Sequence, residues 1–493
     1  MRVLIFHGYL LRGTGSNIYN VNLARALAAL GHEVHLCCQE RHAELAGLPP
    51  DVTIHNPDIG RILPVYVADV YEGFDAVSFP DLTDEQIDTY IERNVTFVRE
   101  LARRVRPGVA LANHLIMGPL ILARALHGEV PYAVKVHGSA LEYTVKPHRA
   151  RFLPYAREGL AAAAAVLVGS RHTGESLWEV MADAALPDRT RLGPPGVDVE
   201  HFRPRSYDDA AAGVVDLADR LDRTDTAGWG GEAGAAAALR ALDPANDLIV
   251  SYVGKLIVSK GVDLLLAAWP LVVGQVPEGR LCVVGFGGYR DALHEMVDAL
   301  AAADLDVLGA IAARGREAEG GPPGELTYLA TFLGGLRGEL RAAYLAAAPR
   351  AAERIVFTGR LEHDDLPSLL PACLAQVVPS TFPEAFGMVA AEAAACGALP
   401  LSAAHSGLAE VSTVLAHDLA PEHADLLSFT RGPGAVEEIA AKLTRWLSLA
   451  PEDRMEVAAS LAGTARDRFG WRSVAEGVVA ATQGHLDQLP RPL

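Results

Sequence analysis

Arg2-Val3-Leu4-Ile5-Phe6-His7, then Arg12-Gly13-Thr14-Gly15-Ser16, then apolar residues at Ile18, Val21, Leu23, Leu27 and Leu30, then Val34–Cys38: this opening stretch decides the fold. The first run is apolar enough for a central parallel strand, and it is too short for a secretory leader. The turn-rich segment leads into a helical period, with Ser16 placed to cap its start and Gly31 its end. The whole reads as a β-loop-α-β unit. Further strand-helix pairs are expected at Val109–Asn113, at Tyr132–Val136 ending in His137-Gly138, and at Ala165–Gly169. Strands and helices alternating in this way predict an α/β fold with a doubly wound parallel sheet, whose ligands gather at the carboxyl ends of the strands.

A second series opens at Leu248–Gly254 and continues through Leu281–Val284, Ile355–Phe357, Ala375–Val378 and Leu399–Ser402. The expected domains are therefore 1–205 and 247–470. Residues 206–246 form a linker and insertion, about 302–353 a second insertion, and 471–493 a terminal helix and tail returning to the first domain. At 493 residues, half of them hydrophobic, the chain is long enough for two such cores. A net charge of −18 without a basic stripe argues against nucleic acid and, more mildly, against an anionic membrane surface. No apolar run reaches the roughly 18–20 residues that span a bilayer. The five cysteines lack metal-ligand spacing and read as buried thiols of a reducing, cytoplasmic compartment. No metal site is expected. Asp304-Leu305-Asp306 lies in an Ala-rich helical stretch and reads as solvated surface.

The most informative chemistry lies in Pro379-Ser380-Thr381-Phe382-Pro383-Glu384-Ala385-Phe386-Gly387-Met388-Val389-Ala390-Ala391-Glu392, closed by Gly397. A strand runs through a loop into a helix. Glu384 and Glu392 stand just over two helical turns apart, so both carboxylates reach one side if Glu384 sits at the helix entry. A carboxylate accepts two hydroxyl hydrogen bonds, which suits the diols of a sugar or ribose. The helix start between them offers free N–H groups and a positive dipole end to a diphosphate. Lys255 and Lys260 flank another strand end and suit phosphate. Taken singly, Glu384 reads as a loop charge, Glu392 as a solvated helix residue and His137 as a satisfied core histidine.

Together these residues resemble the signature of the family 4 retaining glycosyltransferases, with the GT-B fold of two facing Rossmann-like domains and a cleft between them. The resemblance runs in order along most of the chain: Gly13–Asn17, Val136-His137-Gly138, Gly196-Val197-Asp198, Val253–Leu256 with Lys260-Gly261, Phe357–Arg360, Glu384–Glu392 and Ser406–Glu410. It implies metal-free transfer of a sugar from a UDP, GDP or ADP sugar to a hydroxyl acceptor, with retention and no further cofactor. Lys255, Lys260 and Gly15 would meet the diphosphate. Glu384 would hold sugar hydroxyls with the N–H groups of Phe386, Gly387 and Met388, and Val389 would line the same helix start. Glu392 would hold the ribose, Arg360 would lie near the base, and His137 near the anomeric centre. The acceptor is expected against Asn17, Asn113, Glu142 and Tyr143. Lys255 replaces the family's usual arginine, Ser406-Gly407 replaces a glycine pair, and the two insertions have no counterpart. A sugar-nucleotide 2-epimerase shares the fold but normally lacks the glutamate signature. A non-catalytic sugar-nucleotide-binding relative would be expected to lose a lysine or a glutamate.

Overall fold

The computed structural model describes residues 1–12, 14–42, 47–66, 73–223 and 234–492. Gly13 of the glycine loop and residues 224–233 of the first insertion fall outside them. The chain divides into two compact units, Met1–Gly196 with Phe469–Leu493, and Val197–Arg468.

The first unit holds a parallel sheet ordered β3-β2-β1-β6-β7-β8-β9 and a small β4-β5 pair. Its strands are β1 (Arg2–Phe6), β2 (Glu33–Cys37), β3 (Val52–His55), β4 (Ile62–Val65), β5 (Asp75–Ser78), β6 (Val109–Asn113), β7 (Tyr132–Val136), β8 (Ala165–Val168) and β9 (Thr190–Leu192). The unbroken apolar run of β1 is explained by burial on both faces. Leu4 and Phe6 join one core with Leu120 and Phe152, while Val3 and Ile5 join another with Leu23, Leu27 and Trp471. Trp471 opens the Trp471–Thr482 helix and packs against Gly196, where a side chain would collide with the indole at 2.7 Å. Truncating this indole would cost about 3–5 kcal/mol.

The helix after β1 spans Gly15–Ala29, and its N-cap is Thr14 rather than Ser16, with no side-chain capping bond. The strand expected at Val34–Cys38 starts one residue earlier, because Glu33 already pairs with Arg2.

The second unit holds a parallel sheet ordered β12-β11-β10-β13-β14-β15. Its strands are β10 (Leu248–Val253), β11 (Gly279–Val284), β12 (Ile355–Gly359), β13 (Ala375–Val378), β14 (Leu399–Ala403) and β15 (Ser428–Phe429). In both large sheets the strand order reverses beside the first strand of the unit, between β1 and β6 and between β10 and β13. Those reversals are where doubly wound sheets open a ligand crevice.

The unit boundary lies at Gly196, ahead of the expected 205. Phe202 explains this: it is buried and its ring lies 5.1 Å from that of His363, inside the second unit. The first insertion contributes helices Tyr207–Arg223 and Ala235–Arg240 to the same unit. The second insertion folds as helices Leu305–Arg314, Thr327–Gly335 and Gly338–Glu353. Asp304 caps the first of these by accepting from the N–H groups of Asp306 and Val307, so Asp304-Leu305-Asp306 is a helix start. No described helix is long and apolar enough to cross a membrane. All five cysteines are free and buried.

Candidate active site

At the β10/β13 reversal, two loops are stitched together. The loop after β10 carries Lys255, Ser259 and Lys260, and the loop after β13 carries Ser380 through Glu384. The carbonyl of Ser259 accepts from Thr381 N at 2.9 Å. Gly261 follows with φ +67°, and a Cβ there would stand 2.1 Å from the Pro379 carbonyl, so only glycine permits this approach. The stitching delivers the Lys260 ammonium to the Glu384 carboxylate as an ion pair. Ser380 Oγ donates to the same Glu384 oxygen at 2.6 Å. Burial alone would push the Glu384 carboxyl up; Lys260 and Ser380 more than offset it and hold the group below the usual carboxylate range.

Glu384 N donates to Ser406 Oγ at 2.9 Å, and Gly407 N donates back to the Glu384 carbonyl at 2.9 Å. Ser406 adopts φ +50°, a left-handed conformation that costs a non-glycine residue about 1–2 kcal/mol. The serine that replaces a glycine is therefore a strained residue with a compensating hydrogen bond. His405 Nε2 donates to the Ser380 carbonyl at 2.7 Å and closes the ring of contacts.

Phe386 and Gly387 lead directly into the Met388–Ala395 helix, for which Gly387 is the N-cap and whose first turn has no acidic residue. Its N-terminus, at Met388 and Val389, thus presents uncompensated N–H groups beside the lysine turn. Glu392 lies about one turn inside this helix and is 2% exposed. Its Oε1 accepts from His363 Nε2 at 2.8 Å. Burial pushes the His363 imidazole down, but the charge and hydrogen bond of Glu392 prevail and raise it. Arg360 follows β12, pairs with Glu362 at 2.9 Å and lies over the Phe286 ring. Lys255 is half-buried, and its carbonyl accepts from Tyr252 Oη at 2.8 Å.

At the β1/β6 reversal of the first unit, a directed chain of hydrogen bonds links His137 to the glycine loop. His137 Nε2 donates to Asn113 Oδ1 (2.7 Å), Asn113 Nδ2 to Asn20 Oδ1 (2.8 Å), Asn20 Nδ2 to His7 Nδ1 (3.0 Å), and His7 Nε2 to Asn17 Oδ1 (2.8 Å). Asn17 Nδ2 ends the chain on the Arg12 carbonyl at 2.5 Å. All three amides are oriented by backbone carbonyls as well, Asn113 by Phe6 and Asn20 by Ser16, so the tautomers of both histidines follow. Burial pushes His7 down to about 4 and His137 well below its ordinary value. Both are neutral near pH 7, each with its proton on Nε2.

Asn17 and Asn113 are thus buried inside the chain. Glu142 is bonded to Lys146 (2.9 Å) and Ser176 (2.5 Å), and Tyr143 is exposed. Gly15 is exposed at the helix start, with nothing within 4 Å of a built Cβ, so that N-terminus is open to approach. His114 is buried against His7, Tyr66 and His137, and neither ring nitrogen has a hydrogen-bond partner among the described residues. Sequence reasoning missed His7 and Asn20, Ser380 and His405, and the His363 partner of Glu392. A polar residue at the end of an apolar strand was the available signal for His7. Among the described residues, no group of three or more His, Cys, Asp or Glu side chains is placed to hold a metal ion.

The family model described as Glycosyltransferase Family 4 matches residues 13–201, and that described as Glycosyl transferases group 1 matches residues 328–459. The chain is a glycosyltransferase. Lys255 and Lys260 lie in the stretch between the two matches of this glycosyltransferase. It is 26% identical to a D-inositol 3-phosphate glycosyltransferase of Frankia alni over 481 residues, covering 94% of this chain and 93% of that one. A protein of the same name from Xylanimonas cellulosilytica is also 26% identical, covering 94% and 90%. Among solved structures, the glycosyltransferase superposes on sucrose-phosphate synthase of Thermosynechococcus elongatus with TM-score 0.58 and 19% identity, covering 99% of each chain. Anabaena Alr3699/HepE in complex with UDP-glucose gives TM-score 0.59 at 16% identity, covering 99% and 100%. The fold of the enzyme is GT-B.

Proposed function

We propose that this enzyme moves a sugar from a nucleoside-diphosphate sugar to a hydroxyl acceptor with retention at the anomeric carbon, without a metal at the diphosphate. The observation that carries the reading is the Lys260–Glu384 pair, held at the start of the Met388–Ala395 helix by the stitched β10 and β13 loops. The sugar–phosphate bond breaks with its electron pair on the leaving diphosphate. Lys255, Lys260 and the helix N-terminus supply positive charge to that anion from a preorganised position. Glu384, kept ionised, accepts from sugar hydroxyls, and Glu392 from the ribose. Arg360 lies near the base.

The acceptor oxygen forms its bond on the face the diphosphate leaves, and its proton passes to the donor phosphate. No protein general base is assigned. On the first unit, neutral His137 meets the transferred sugar, Gly15 approaches the diphosphate, and exposed Tyr143 with Glu142 flanks the acceptor. Asn17 and Asn113 act through the hydrogen-bond chain. Five buried free thiols suit a reducing, cytoplasmic setting.

UDP-glucose is the first donor to test, since HepE binds it, and an inositol phosphate the first acceptor, from the relatives' names. The enzyme would be incubated with UDP, GDP and ADP sugars with and without chelator, and the product's anomeric coupling read by NMR. Retained configuration and chelator-resistant turnover are expected. Inversion, or loss restored only by magnesium, contradicts the proposal.

A further inference from the structure

The insertion at 302–353 reaches back to the lysine turn. Val258–Lys260 forms a single tight turn, with Gly261 N donating to the Val258 carbonyl at 3.0 Å. On one side Leu256 N donates to the Phe286 carbonyl (2.7 Å), and on the other the Ser259 carbonyl accepts from Thr381 N (2.9 Å). The first N–H of the turn, that of Val258, is satisfied by a side chain from the insertion: it donates to Glu319 Oε2 at 2.7 Å. The Glu319 side chain is 9% exposed, and its other oxygen accepts from Arg316 Nε at 3.0 Å.

The segment that carries Glu319 is built to hold it. Gly315 has φ +55°, with the Gly324 carbonyl only 1.5 Å from where a Cβ would be, so the insertion closes there as no other residue would allow. Gly321 N donates to the Arg316 carbonyl at 2.9 Å, and Gly288, in the loop after β11, packs against the backbone of Glu319. A carboxylate beside a diphosphate site would ordinarily repel the ligand. Here one oxygen caps a backbone N–H and the other is neutralised by Arg316, so its charge is turned away from the turn it holds.

We propose that Glu319 is a positioning residue for the donor: through the Val258 N–H it fixes the turn that aims Lys260, making the insertion a working part of the nucleoside-diphosphate site. The inference rests on Lys260 facing the diphosphate. It predicts that the acceptor function of the side chain matters and its charge does not.

The test uses the full chain with Glu319→Ala, Glu319→Gln and Lys260→Ala. The ligand is whichever of UDP, GDP or ADP raises the wild-type melting temperature. Glu319→Ala should weaken that nucleotide and lower donor kcat/KM by about 10- to 100-fold, the worth of a hydrogen bond to a charged group. Acceptor KM should change little, and the unliganded melting temperature should fall only by what the loss of one buried hydrogen bond explains. Glu319→Gln, which keeps the accepting oxygen, should bind and turn over within about threefold of wild type. Wild-type behaviour in Glu319→Ala while Lys260→Ala is impaired overturns the inference alone. Tighter nucleotide binding in Glu319→Gln than in wild type overturns it too, because charge rather than position would then be at work. No response to any of the three nucleotides, or a fully active Lys260→Ala, overturns the donor reading and the inference with it.

Discussion

His137 Nε2 donates to Asn113 Oδ1 at 2.7 Å, and four further bonds carry that orientation to the Arg12 carbonyl at the edge of the glycine loop. A change anywhere along the chain should therefore reach His137. Asn17→Ala removes both the acceptor of His7 and the donor to Arg12, and should cost about 1–3 kcal/mol of stability as buried groups lose partners. Transfer and donor hydrolysis should fall in parallel, and the imidazole ¹⁵N shifts of His137 should lose the pure Nε2–H signature. A raised acceptor KM with unchanged melting would show instead that Asn17 touches the acceptor directly.

The two glutamates should separate by ligand. Glu392→Gln should weaken nucleoside diphosphate even without a sugar, since ribose is its proposed partner. Glu384→Gln frees Lys260 from its ion pair, so free diphosphate should bind as well or better while the sugar-bearing donor binds worse. Calorimetry of both ligands on both variants reads this out. Equal losses throughout would mean the roles are misassigned.

The His363–Glu392 pair makes stability depend on pH in a defined direction. The imidazole is raised from an ordinary 6.5 in the folded state, so its contribution is fully present below about 6.5 and fades as pH rises through the folded value. The charges facing it are Glu392, Asp364 and Asp198. Melting of wild type against His363→Gln should thus differ most near pH 6 and converge at alkaline pH. A gap that widens with pH would contradict the pairing.

Much of this was legible in the residues. The β1 run, the helical period behind it and the second series from Leu248 gave two parallel sheets, because apolar strands buried on both faces leave a strong signal. Glu384, Glu392, Lys255 and Lys260 could be singled out by type and by position at strand ends. What the sequence could not reveal was pairing across distance. Lys260 meets Glu384 only because Gly261 lets the backbone close on Pro379, and His363 meets Glu392 only across the β12 and β13 loops. Asn17 reads as an acceptor contact in the sequence because its register on the helix, facing inward to His7, depends on where the helix starts. Ser406 stands out as a departure from the family's glycines; its bond to Glu384 N joins residues 22 apart and leaves no local signal.

The central claim is that Lys260 stabilises the leaving diphosphate, and turnover of Lys260→Ala tests it most directly. With the fold intact by melting, kcat for the sugar-nucleotide donor should fall by roughly 10²-fold or more, as for other preorganised charge stabilisers. A kcat near that of the wild type would contradict the account.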